Sequence, residues 1–410
     1  MFKESLFNCY LKKDDNWIVF NSFTKSSALL DNRDYIKKCL EENNGNELKV
    51  LKENGFVVNS ESDEFSILKY IYNKKFFDNR DLSLVLMPTL KCNFKCPYCF
   101  EKNINFKENE HYFSSIKKYI EKQIHHFDRL YIGIFGGEPL LFQNEILKFL
   151  KEIEEILNKN NKKLFTSIVT NGSLLSKEFI ENLIRYNCQY CQITFDGSQE
   201  KHDKSRIYKT GEKSFDLLIK KMEMLAECSK LSDKFKPILR INVEDESCEE
   251  ISQILNRINP VYRTRIYVLI RKIFNTNYYT TCNNGIKLYD YYDVAKKMGY
   301  KSFQNKNIFT SCEACGDLNN LQILPDLSVY KCVNDLNYDK AKIGRLKESG
   351  DLKLNIKNIV DWYNSANFFD NENCKKCNKA ASCLGGCILY NSKTGKRNCS
   401  SIDHITSGYL

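Results

Sequence analysis

Between residues 82 and 272 the sequence alternates short apolar segments with amphipathic helical segments, and this alternation constrains the fold more than any other feature. Six strands that alternate with helices predict an α/β fold with a parallel sheet, open or curled into a partial barrel. Ligands of such folds bind beyond the carboxyl ends of the strands. The predicted strands are Leu82–Thr89, Leu130–Phe135, Phe165–Thr170, Gln189–Phe195, Pro237–Val243 and Arg265–Arg271. The predicted helices are 108–126, 143–160, 177–186, 214–230 and 247–258.

Three cysteines follow the first predicted strand. Cys92, Cys96 and Cys99, called the cysteine triplet below, stand in the segment C-N-F-K-C-P-Y-C. Three thiolates on one short loop can ligate three irons of a [4Fe–4S] cluster and leave the fourth iron open for a substrate or cofactor. A zinc site is the alternative, but zinc sites more often use closely paired cysteines and need four nitrogen or sulfur ligands. The triplet therefore favours an iron–sulfur cluster with one open iron.

Composition argues against several classes of protein. The 410 residues allow two or three domains. The longest apolar stretches are too short to span a membrane, and the first residues lack the apolar core of a secretory signal. We therefore expect a cytoplasmic protein whose 18 cysteines stay reduced and serve largely as metal ligands. The net charge of +10 is modest, so nucleic-acid binding is not expected, whereas an acidic peptide partner is compatible with it.

Residues 1–80 have a different pattern. Leu6–Leu11 and Trp17–Phe20 flank a polar turn and predict a β-hairpin, which is followed by helical patterns at Ser27–Glu42 and Asn46–Asn54. A short strand then follows at Phe56–Val58. A hairpin followed by small helices is typical of a winged-helix-like module. The alternative is an extension that only packs on the rest of the chain.

The segment Gly136-Gly137-Glu138-Pro139 follows the second predicted strand. Its glycines permit a ligand to approach the backbone closely, and Glu138 offers a carboxylate to a cationic amino group. Alone, this segment could be an ordinary turn. Its position beside the cysteine triplet, after the neighbouring strand, makes it a specific signal for a ligand site.

The triplet and the Gly-Gly-Glu-Pro segment together resemble those of the radical S-adenosylmethionine (SAM) enzymes. In that family the open iron binds the amino and carboxylate groups of SAM, the Gly-Gly-Glu-Pro segment holds the amino group, and an aromatic residue in the cysteine loop lies near the adenine. Further polar residues at the ends of the later strands match the family. The resemblance implies that the cofactor-binding residues are Tyr98, Gly136, Gly137, Glu138, Pro139, Asn171, Thr194, Asp196, Arg206 and Arg240.

Two of these residues have specific roles by the same resemblance. Thr194 sits where the family directs a hydroxyl toward the SAM ribose, and Arg206 is placed to meet a carboxylate. His202, which precedes Arg206, could equally be an ordinary surface or capped histidine. Cys188 and Cys191 lack a second cysteine pair, and we expect them to be small buried thiols.

The C-terminal hundred residues contain eight further cysteines whose layout resembles the SPASM domain. That domain extends radical SAM peptide-modifying enzymes and holds two auxiliary [4Fe–4S] clusters. Structural zinc ions are the alternative. Leu327 replaces the glycine that usually stands five residues before Cys332, which leaves open whether cluster I is fully ligated by protein. By the interleaved connectivity of the family, Cys312, Cys315, Cys332 and Cys387 would hold auxiliary cluster I, and Cys374, Cys377, Cys383 and Cys399 would hold auxiliary cluster II.

These resemblances predict three domains. Residues 1–80 would form a winged-helix-like peptide-recognition module, residues 81–300 a partial (β/α)6 barrel, and residues 301–410 the SPASM domain. The implied cofactors are three [4Fe–4S] clusters and SAM, with a reducing partner such as flavodoxin or ferredoxin. By resemblance, a reduced cluster cleaves SAM, the radical so formed takes a hydrogen from the substrate, and an auxiliary cluster accepts the electron that the oxidised substrate loses.

Two classes of SPASM enzyme compete for the function. Sulfatase-maturating enzymes, which make formylglycine, usually begin close to the cysteine triplet and carry an aspartate after the cysteine equivalent to Cys332. Here 91 residues precede Cys92, and Val333 occupies the aspartate position. Maturases of ribosomal peptides, of the sactipeptide and ranthipeptide type, often make thioethers and carry an N-terminal winged-helix module that binds a leader peptide as an added strand. We predict a peptide maturase of this second class.

The expected reaction is an oxidative cross-link on a ribosomal precursor peptide, with a cysteine thioether as the expected form. Epimerisation and carbon–carbon cross-linking remain open as alternatives. A non-enzymatic iron–sulfur electron carrier is disfavoured, because a carrier does not need an open iron beside a Gly-Gly-Glu-Pro segment.

Overall fold

The structure is a computed structural model. It describes residues 1–399 except 14, 44, 79, 100, 102–103, 105–106, 245, 273–287, 304–316 and 318. Within these described residues, no helix combines the length and the apolar character that a membrane span requires.

The described strands form three sheets. Those of the N-terminal region are β1 (Phe2–Glu4), β2 (Asn8–Lys13), β3 (Asn16–Asn21), β4 (Ser27–Leu30) and β5 (Val57–Asn59). The others are β6 (Asp81–Leu86), β7 (Arg129–Ile134), β8 (Lys163–Thr170), β9 (Cys188–Asp196), β10 (Lys236–Val243), β11 (Tyr267–Lys272), β12 (Lys301–Ser302), β13 (Asn320–Ile323), β14 (Ser328–Tyr330), β15 (Lys342–Leu346) and β16 (Leu352–Leu354).

The described helices lie mainly between these strands. They are α1 (Tyr35–Glu42), α2 (Gly45–Glu53), α3 (Glu64–Phe76), α4 (Tyr112–Gln123), α5 (Gln143–Lys159), α6 (Lys177–Arg185), α7 (Gln199–Ser205), α8 (Phe215–Cys228), α9 (Cys248–Asn256), α10 (Pro260–Arg263), α11 (Leu288–Lys297), α12 (Ile356–Ala366), α13 (Glu372–Lys375), α14 (Ala380–Cys383) and α15 (Ile388–Thr394). Short 3₁₀ turns occupy Pro139–Phe142, Ser229–Leu231 and Asp339–Ala341.

A sheet of 11 strands organises most of the molecule, in the order β12-β11-β10-β9-β8-β7-β6-β13-β14-β15-β16. The six strands predicted from the sequence are present as β6 to β11, and they pair in parallel as predicted. The sheet is larger than predicted, because β12 and β13 also pair in parallel at its two sides and β14 to β16 add an antiparallel meander. The predicted boundary at residue 301 therefore falls within one continuous sheet.

The two faces of this sheet differ in character. On β6, Leu82, Leu84 and Leu86 are buried in the core that the sheet shares with its helices, whereas Ser83 and Val85 point to the other face. The same alternation continues on β7 and β8, so one face is apolar and covered by helices. The opposite face carries polar and aromatic side chains, among them the stacked rings of Tyr131 and Phe165, and a cavity of about 530 Å³ lies against it near the amino ends of the strands.

The N-terminal region forms a small three-stranded antiparallel sheet, β2-β3-β4, with α1 and α2 beside it. The predicted hairpin is present as β2 and β3. The prediction of a helix from Ser27 is wrong, because Ser27–Leu30 pairs with β3 and the helix begins only at Tyr35. The predicted return strand pairs with β1 as β5.

This N-terminal region packs directly on the C-terminal region. Phe7 and Leu68 share an apolar cluster with Phe368 and Phe369. Asn378 Nδ2 donates to the Asn8 carbonyl at 3.1 Å, which adds a polar contact to the same junction. These apolar and polar contacts hold the N-terminal region against the part of the chain that carries the last cysteines.

Candidate functional site

The predicted site residues converge on the carboxyl edge of the sheet. The cysteine triplet follows β6, the Gly-Gly-Glu-Pro segment follows β7, and Asn171 follows β8. Asp196 ends β9, and Asn242 pairs beside it on β10. Five adjacent parallel strands therefore deliver polar residues to one region, as the fold class predicts.

The loop that carries the triplet is held in place by the chain between α7 and α8. Phe94 forms an isolated antiparallel bridge with Tyr208, and their rings lie 4.7 Å apart. The Lys95 amide donates to the Ile207 carbonyl at 3.0 Å, and the Lys209 amide donates to the Asn93 carbonyl at 2.8 Å. These contacts fix the backbone between the first and second cysteines.

Burial raises the pKa of each thiol in the triplet, that of Cys92 to about 11. Cys92 Sγ accepts the Phe94 amide at 3.4 Å and faces Asn171 Nδ2 at 3.6 Å. The Glu101 backbone acts to lower the pKa of Cys99, against the larger effect of burial. Thiolates in such a buried site need a metal to stabilise them, and hydrogen bonds to sulfur are typical of iron–sulfur sites.

The donor set consists of three thiols on one loop. In the part of the chain that the structure describes, no three His, Cys, Asp or Glu side chains converge as they would around one metal ion. Each thiolate of a [4Fe–4S] cluster binds a different iron, so the three thiols need not meet at one point. Zinc would require four ligands around one centre.

The two glycines of the Gly-Gly-Glu-Pro segment pack against the backbone that leads into Cys92. A Cβ atom on Gly136, whose φ is 123°, would lie 2.5 Å from the Thr89 carbonyl oxygen. A Cβ atom on Gly137 would lie 2.5 Å from the Leu90 carbonyl oxygen and closer still to that of Lys91. The Gly137 and Glu138 amides donate to the Thr89 and Lys91 carbonyls at 3.0 and 2.8 Å. The segment is therefore a cradle for the cluster loop.

The Glu138 carboxylate is fully buried and occupied by partners within the chain. It accepts hydrogen bonds from the Leu140 amide at 3.0 Å, the Thr170 hydroxyl at 2.7 Å and the Asn171 amide at 2.8 Å. Burial raises the pKa of Glu138, while these three bonds act to lower it. The side chain thus ties the turn after β7 to the end of β8.

A second network joins Tyr98, Asp196 and Arg206. The Tyr98 hydroxyl donates to Asp196 Oδ2 at 2.5 Å and accepts Arg206 Nη1 at 2.9 Å. Asp196 also accepts the Ser205 hydroxyl at 2.7 Å and Asn242 Nδ2 at 2.9 Å. Three of the residues that the family resemblance selected therefore touch one another beside the cysteine loop.

This network lies in a region of positive charge. Arg240 pairs across the strands with Thr194, and its Nε donates to Asn242 Oδ1 at 3.0 Å. Burial lowers the pKa of Arg240, and the charges of Arg271 and Arg206 lower it further. No motif in the sequence predicted Arg271 as a site residue. Three guanidinium groups in one partly buried region favour an anionic ligand such as a carboxylate.

His202 is a buried structural residue and not a surface one. Its Nδ1 accepts the Asp196 amide at 3.3 Å, and its Nε2 lies 3.0 Å from the Ser214 hydroxyl, which donates to the Arg206 carbonyl. The hydroxyl proton is used in that bond, so Nε2 carries the imidazole proton. Burial, followed by the charge of Arg206, lowers the pKa of His202 to about 3, and the ring is neutral.

Glu101 is not among the site residues that the sequence predicts. Its side chain is 7 % exposed, and its Oε1 has no hydrogen-bond partner. Burial, followed by the charge of Glu138, raises the pKa of Glu101 to about 8. The only hint in the sequence was an acidic residue placed two positions after the third cysteine of the triplet.

The C-terminal cysteines fall into two places. Cys312 and Cys315 lie outside the described residues. Cys332 belongs to an apolar cluster that also contains Met87 and Trp362, and Cys387 packs against it. Leu90 and Phe135 pack on the same cluster, so these two cysteines lie close to the carboxyl ends of β6 and β7.

Of the remaining four cysteines, Cys374 and Cys377 pack on the apolar cluster that the N-terminal and C-terminal regions share. Burial raises the pKa of Cys374, and the charges of Cys383, Cys377 and Cys399 raise it further. Gly386, with a φ of 80°, packs against the Asn398 carbonyl, next to Cys399. The resemblance assigns these four thiols to auxiliary cluster II, and that assignment stays a prediction.

Two smaller expectations have clear outcomes. Cys188 and Cys191 are 2 % and 0 % exposed within the main core, as expected for small buried thiols. Leu327 adopts a φ of 68°, a conformation that favours glycine. The position therefore has the backbone geometry of the glycine that it replaces.

Residues 86–252 match the family model described as the Radical SAM superfamily. These residues form a radical SAM domain. It is 28% identical over 335 residues to the radical SAM cyclopropyl synthase TigE of Paramaledivibacter caminithermalis, covering 75% of this chain and 67% of that one. It is 25% identical over 349 residues to a cysteine-type anaerobic sulfatase-maturating enzyme of Clostridium perfringens, covering 75% and 88%.

Two solved structures share the fold of this radical SAM enzyme. The structure of anSMEcpe with bound AdoMet has a TM-score of 0.54 at 20% identity, over 75% of this chain and 89% of that one. Streptococcus suis SuiB bound to the precursor peptide SuiA has a TM-score of 0.50 at 15% identity, over 97% and 98%. A radical SAM domain implies SAM and a [4Fe–4S] cluster, and the buried thiols of the triplet fit that cluster.

Proposed function

We propose that this radical SAM enzyme matures a ribosomal precursor peptide by abstracting a hydrogen and forming an oxidative cross-link, with a cysteine thioether as the expected product. The observation that carries the proposal is the extent of the likeness to SuiB bound to SuiA. It spans 97% of this chain, including the N-terminal region, whereas the likeness to anSMEcpe with bound AdoMet spans 75%. An N-terminal module in addition to the radical SAM core is what a leader-guided maturase requires.

The cysteine triplet would hold the cluster that binds SAM. When bound, this cluster and SAM would supply hydrogen-atom abstraction from the substrate. The chain's own contribution is to position SAM and to exclude water around it. The residues proposed to line the SAM site are Tyr98, Gly136, Gly137, Glu138, Pro139, Asn171, Thr194, Asp196, Arg206 and Arg240.

Within this site Arg206 and Tyr98 have different tasks. Arg206 is buried, and its Nε has no hydrogen-bond acceptor, so it is available to an anionic group. Tyr98 is held from both sides by Asp196 and Arg206, which fixes the aromatic ring beside the triplet. Such preorganised side chains hold a ligand without reorganising when it binds.

The C-terminal cysteines are proposed to hold two auxiliary clusters, as the SPASM resemblance implies. Forming a cross-link releases an electron from the peptide, and a cluster near the substrate is a suitable acceptor. Cys332 and Cys387 share an apolar cluster with Met87, at the carboxyl edge of the sheet. Cluster I would therefore lie on the substrate side of the site. A flavodoxin or ferredoxin in the cytoplasm is the proposed reductant.

In the three-stranded sheet of the N-terminal module, β2 and β4 are the edge strands that a leader peptide could extend. β2 is partly covered, because Asn378 bonds the Asn8 carbonyl. β4 is the other edge of the sheet, and Leu29 in its middle is 66% exposed. Strand addition draws affinity from main-chain hydrogen bonds and specificity from side-chain contacts along the edge. We assign β4 as the site of leader binding.

The full-length enzyme tests this assignment with a matched pair of variants. Leu29→Asp places a charge on the β4 edge, and Leu231→Asp places the same charge on a leucine that is 59% exposed next to α8. With a short peptide encoded next to the gene tested as the precursor, Leu29→Asp should weaken leader binding and slow modification while SAM cleavage continues. Leu231→Asp should match the unmodified enzyme. Equal precursor modification by both variants would show that β4 does not bind the leader.

Sulfatase maturation is the second candidate, and the 25% identity to the Clostridium perfringens enzyme over 88% of its length favours it. Val333 argues against it, because this side chain is buried in an apolar cluster where that class carries an aspartate. A peptide containing Cys-x-Pro-x-Arg separates the two candidates. Formylglycine on that peptide, with the precursor left unchanged, would support sulfatase maturation and reject peptide cross-linking.

A further inference from the structure

Two buried amide oxygens on β13 have no hydrogen-bond donor among the described residues. Asn320 is 5% exposed and Gln322 is 8% exposed, and neither Asn320 Oδ1 nor Gln322 Oε1 has a partner. Their neighbours Leu321 and Ile323 lie in the apolar core of the sheet. Because side chains alternate along a strand, Asn320 and Gln322 share the opposite face, where Asn320 lines the cavity of about 530 Å³.

The nitrogen atoms of both side-chain amides are already used. Gln322 Nε2 donates to the Lys331 carbonyl at 3.0 Å, and Asn320 Nδ2 donates to Ser83 Oγ at 3.0 Å. A carbonyl can only accept, so the NH2 group of Gln322 must face Lys331, and Oε1 is the free atom. A buried oxygen without a donor is costly, and native structures normally supply one. The missing donors are therefore expected from a molecule bound in the cavity.

The cavity has the size and the lining of a ligand pocket. Asn320 and Ser83 line it together with Tyr131 and Phe165, whose stacked rings lie 4.8 Å apart. Ligand pockets typically measure about 300–1,000 Å³ and combine apolar or aromatic walls with a few polar groups. The aromatic walls favour an apolar or aromatic group of the ligand, and the free oxygens favour N–H or O–H donors.

The two free oxygens match the repeat of an extended peptide. Residues two apart on a strand are separated by about 6.6–6.8 Å, and the N–H groups on one side of an extended chain recur at the same interval. Asn320 pairs with Ser83 and Gln322 pairs with Val85, so the two oxygens lead from the cavity toward the carboxyl end of β6, which the cysteine triplet follows. A water molecule could satisfy one oxygen, whereas an extended chain satisfies both and continues toward the triplet.

We infer that Asn320 and Gln322 bind main-chain N–H groups of the substrate peptide, which lies extended along β13 and places one side chain in the cavity. The inference rests on the proposed function and specifies how the enzyme holds the segment of the peptide that it modifies. This site differs from the leader site assigned to β4, because it lies inside the main sheet and recognises the backbone of the modified segment.

The test combines enzyme variants with N-methylated peptides. The probe is a short peptide encoded next to the gene, synthesised with one N-methyl group at each position of its core segment in turn. With the cluster-loaded, unmodified enzyme, methylation at two positions should weaken peptide binding about two- to tenfold, as for the loss of one hydrogen bond. These two positions should be two residues apart in the peptide, as Asn320 and Gln322 are on β13.

Replacement of each acceptor should cancel one of these effects. Asn320→Leu should lose affinity for the unmethylated peptide and lose nothing further on methylation at one position, and Gln322→Leu should do the same at the other. Asn320→Asp keeps an oxygen at its position and should retain the sensitivity to methylation. Gln253→Leu replaces an exposed glutamine of α9 and should match the unmodified enzyme with every peptide.

Iron content and circular dichroism confirm that each variant is folded and loaded. If Asn320→Leu and Gln322→Leu bind the unmethylated peptide as tightly as Gln253→Leu does, the two oxygens are served by water and the inference is overturned. Losses that simply add to those of methylation at every position would overturn it as well, because the oxygens would then not contact the main chain.

These outcomes are distinct from a failure of the proposed function. If the unmodified enzyme cross-links the encoded peptide but neither leucine variant shows coupling to a methyl group, the inference alone is rejected. If the enzyme leaves that peptide unchanged and makes formylglycine on a peptide containing Cys-x-Pro-x-Arg, cross-linking is rejected. The same set of variants and methylated peptides, built on that second sequence, then tests the two oxygens.

Discussion

Replacing Gly137 by alanine should disable the cluster loop without unfolding the sheet. The new Cβ atom would lie 2.5 Å from the Leu90 carbonyl oxygen and would overlap that of Lys91. Both contacts are backbone atoms, so the strain cannot be relieved by a side-chain rotation. Either the turn after β7 or the chain leading into Cys92 must move.

The size of the expected effect on SAM affinity follows from the hydrogen bonds that the substitution would break. Two backbone hydrogen bonds join the segments, from Gly137 to Thr89 at 3.0 Å and from Glu138 to Lys91 at 2.8 Å. Losing both costs about 1–3 kcal/mol, which corresponds to about five- to hundredfold in an equilibrium constant. Because Cys92 is the next residue after Lys91, we expect this loss in SAM affinity, together with reduced iron at the triplet.

Gly133→Ala is the matched control, since Gly133 lies on the preceding strand β7. Its Cβ atom would find its nearest neighbours at 3.6 and 3.7 Å, which is ordinary van der Waals contact. SAM affinity by equilibrium dialysis and iron by colorimetric assay measure both variants. If Gly137→Ala retains the iron content and SAM affinity of Gly133→Ala, the cradle is not needed and the reasoning is refuted.

Three further outcomes are expected. The fully reconstituted enzyme should contain about 12 iron atoms, as for three cubane clusters. Replacing the cysteine triplet by alanine should remove about a third of this iron and all SAM cleavage. An iron content near four atoms in the unmodified enzyme would reject the auxiliary clusters. The pKa of His202 is about 3 in the folded chain, against an ordinary 6.5. Below pH 6.5 the imidazole is therefore protonated in the unfolded state but not in the folded state, and the free energy of unfolding falls as the pH drops. Chemical unfolding should show about 2 kcal/mol of this loss between pH 6.5 and 5, and His202→Asn should lack it; identical pH profiles would contradict the buried neutral ring. Gly386→Ala should lose C-terminal cluster iron because its Cβ atom overlaps the Asn398 carbonyl. Gly395→Ala, which is also at positive φ but has open space around it, should keep that iron. Equal iron contents in the two variants would show that the clash is harmless.

The main sheet was predictable because its signals are local. Each strand from β6 to β11 is a short apolar run between amphipathic helices, and α5 was expected at 143–160 and lies at Gln143–Lys159. The first strand was extended too far, since Met87 and the residues after it leave the sheet to form the cluster loop. The helices follow the sequence period closely because they pack one apolar stripe on the sheet.

The parts that were missed depend on distant partners. β13 is four residues long and gains its place by pairing with β6, more than two hundred residues earlier in the chain. Ser27–Leu30 carries no decisive period, and its pairing with β3 determines that it is a strand. Short segments of this kind are fixed by tertiary contacts and not by local preference.

The same distinction applies to the site. The triplet and the Gly-Gly-Glu-Pro segment are continuous motifs, and their placement after neighbouring strands followed from the fold class. The partners of Glu138 come from Leu140, Thr170 and Asn171, so the use of its carboxylate was visible only in three dimensions. Glu101 belongs to no motif, and its burial and unpartnered Oε1 were likewise visible only in three dimensions.

Hydrogen abstraction from a precursor peptide is tested most directly with deuterium. A candidate precursor, sought among short peptides encoded next to the gene, is synthesised with deuterated residues in its core segment and incubated with the reduced, cluster-loaded enzyme and SAM. Mass spectrometry should find deuterium in the 5′-deoxyadenosine that is released, and a peptide that has lost two hydrogens for each cross-link. An unmodified peptide beside deuterium-free 5′-deoxyadenosine would contradict peptide maturation.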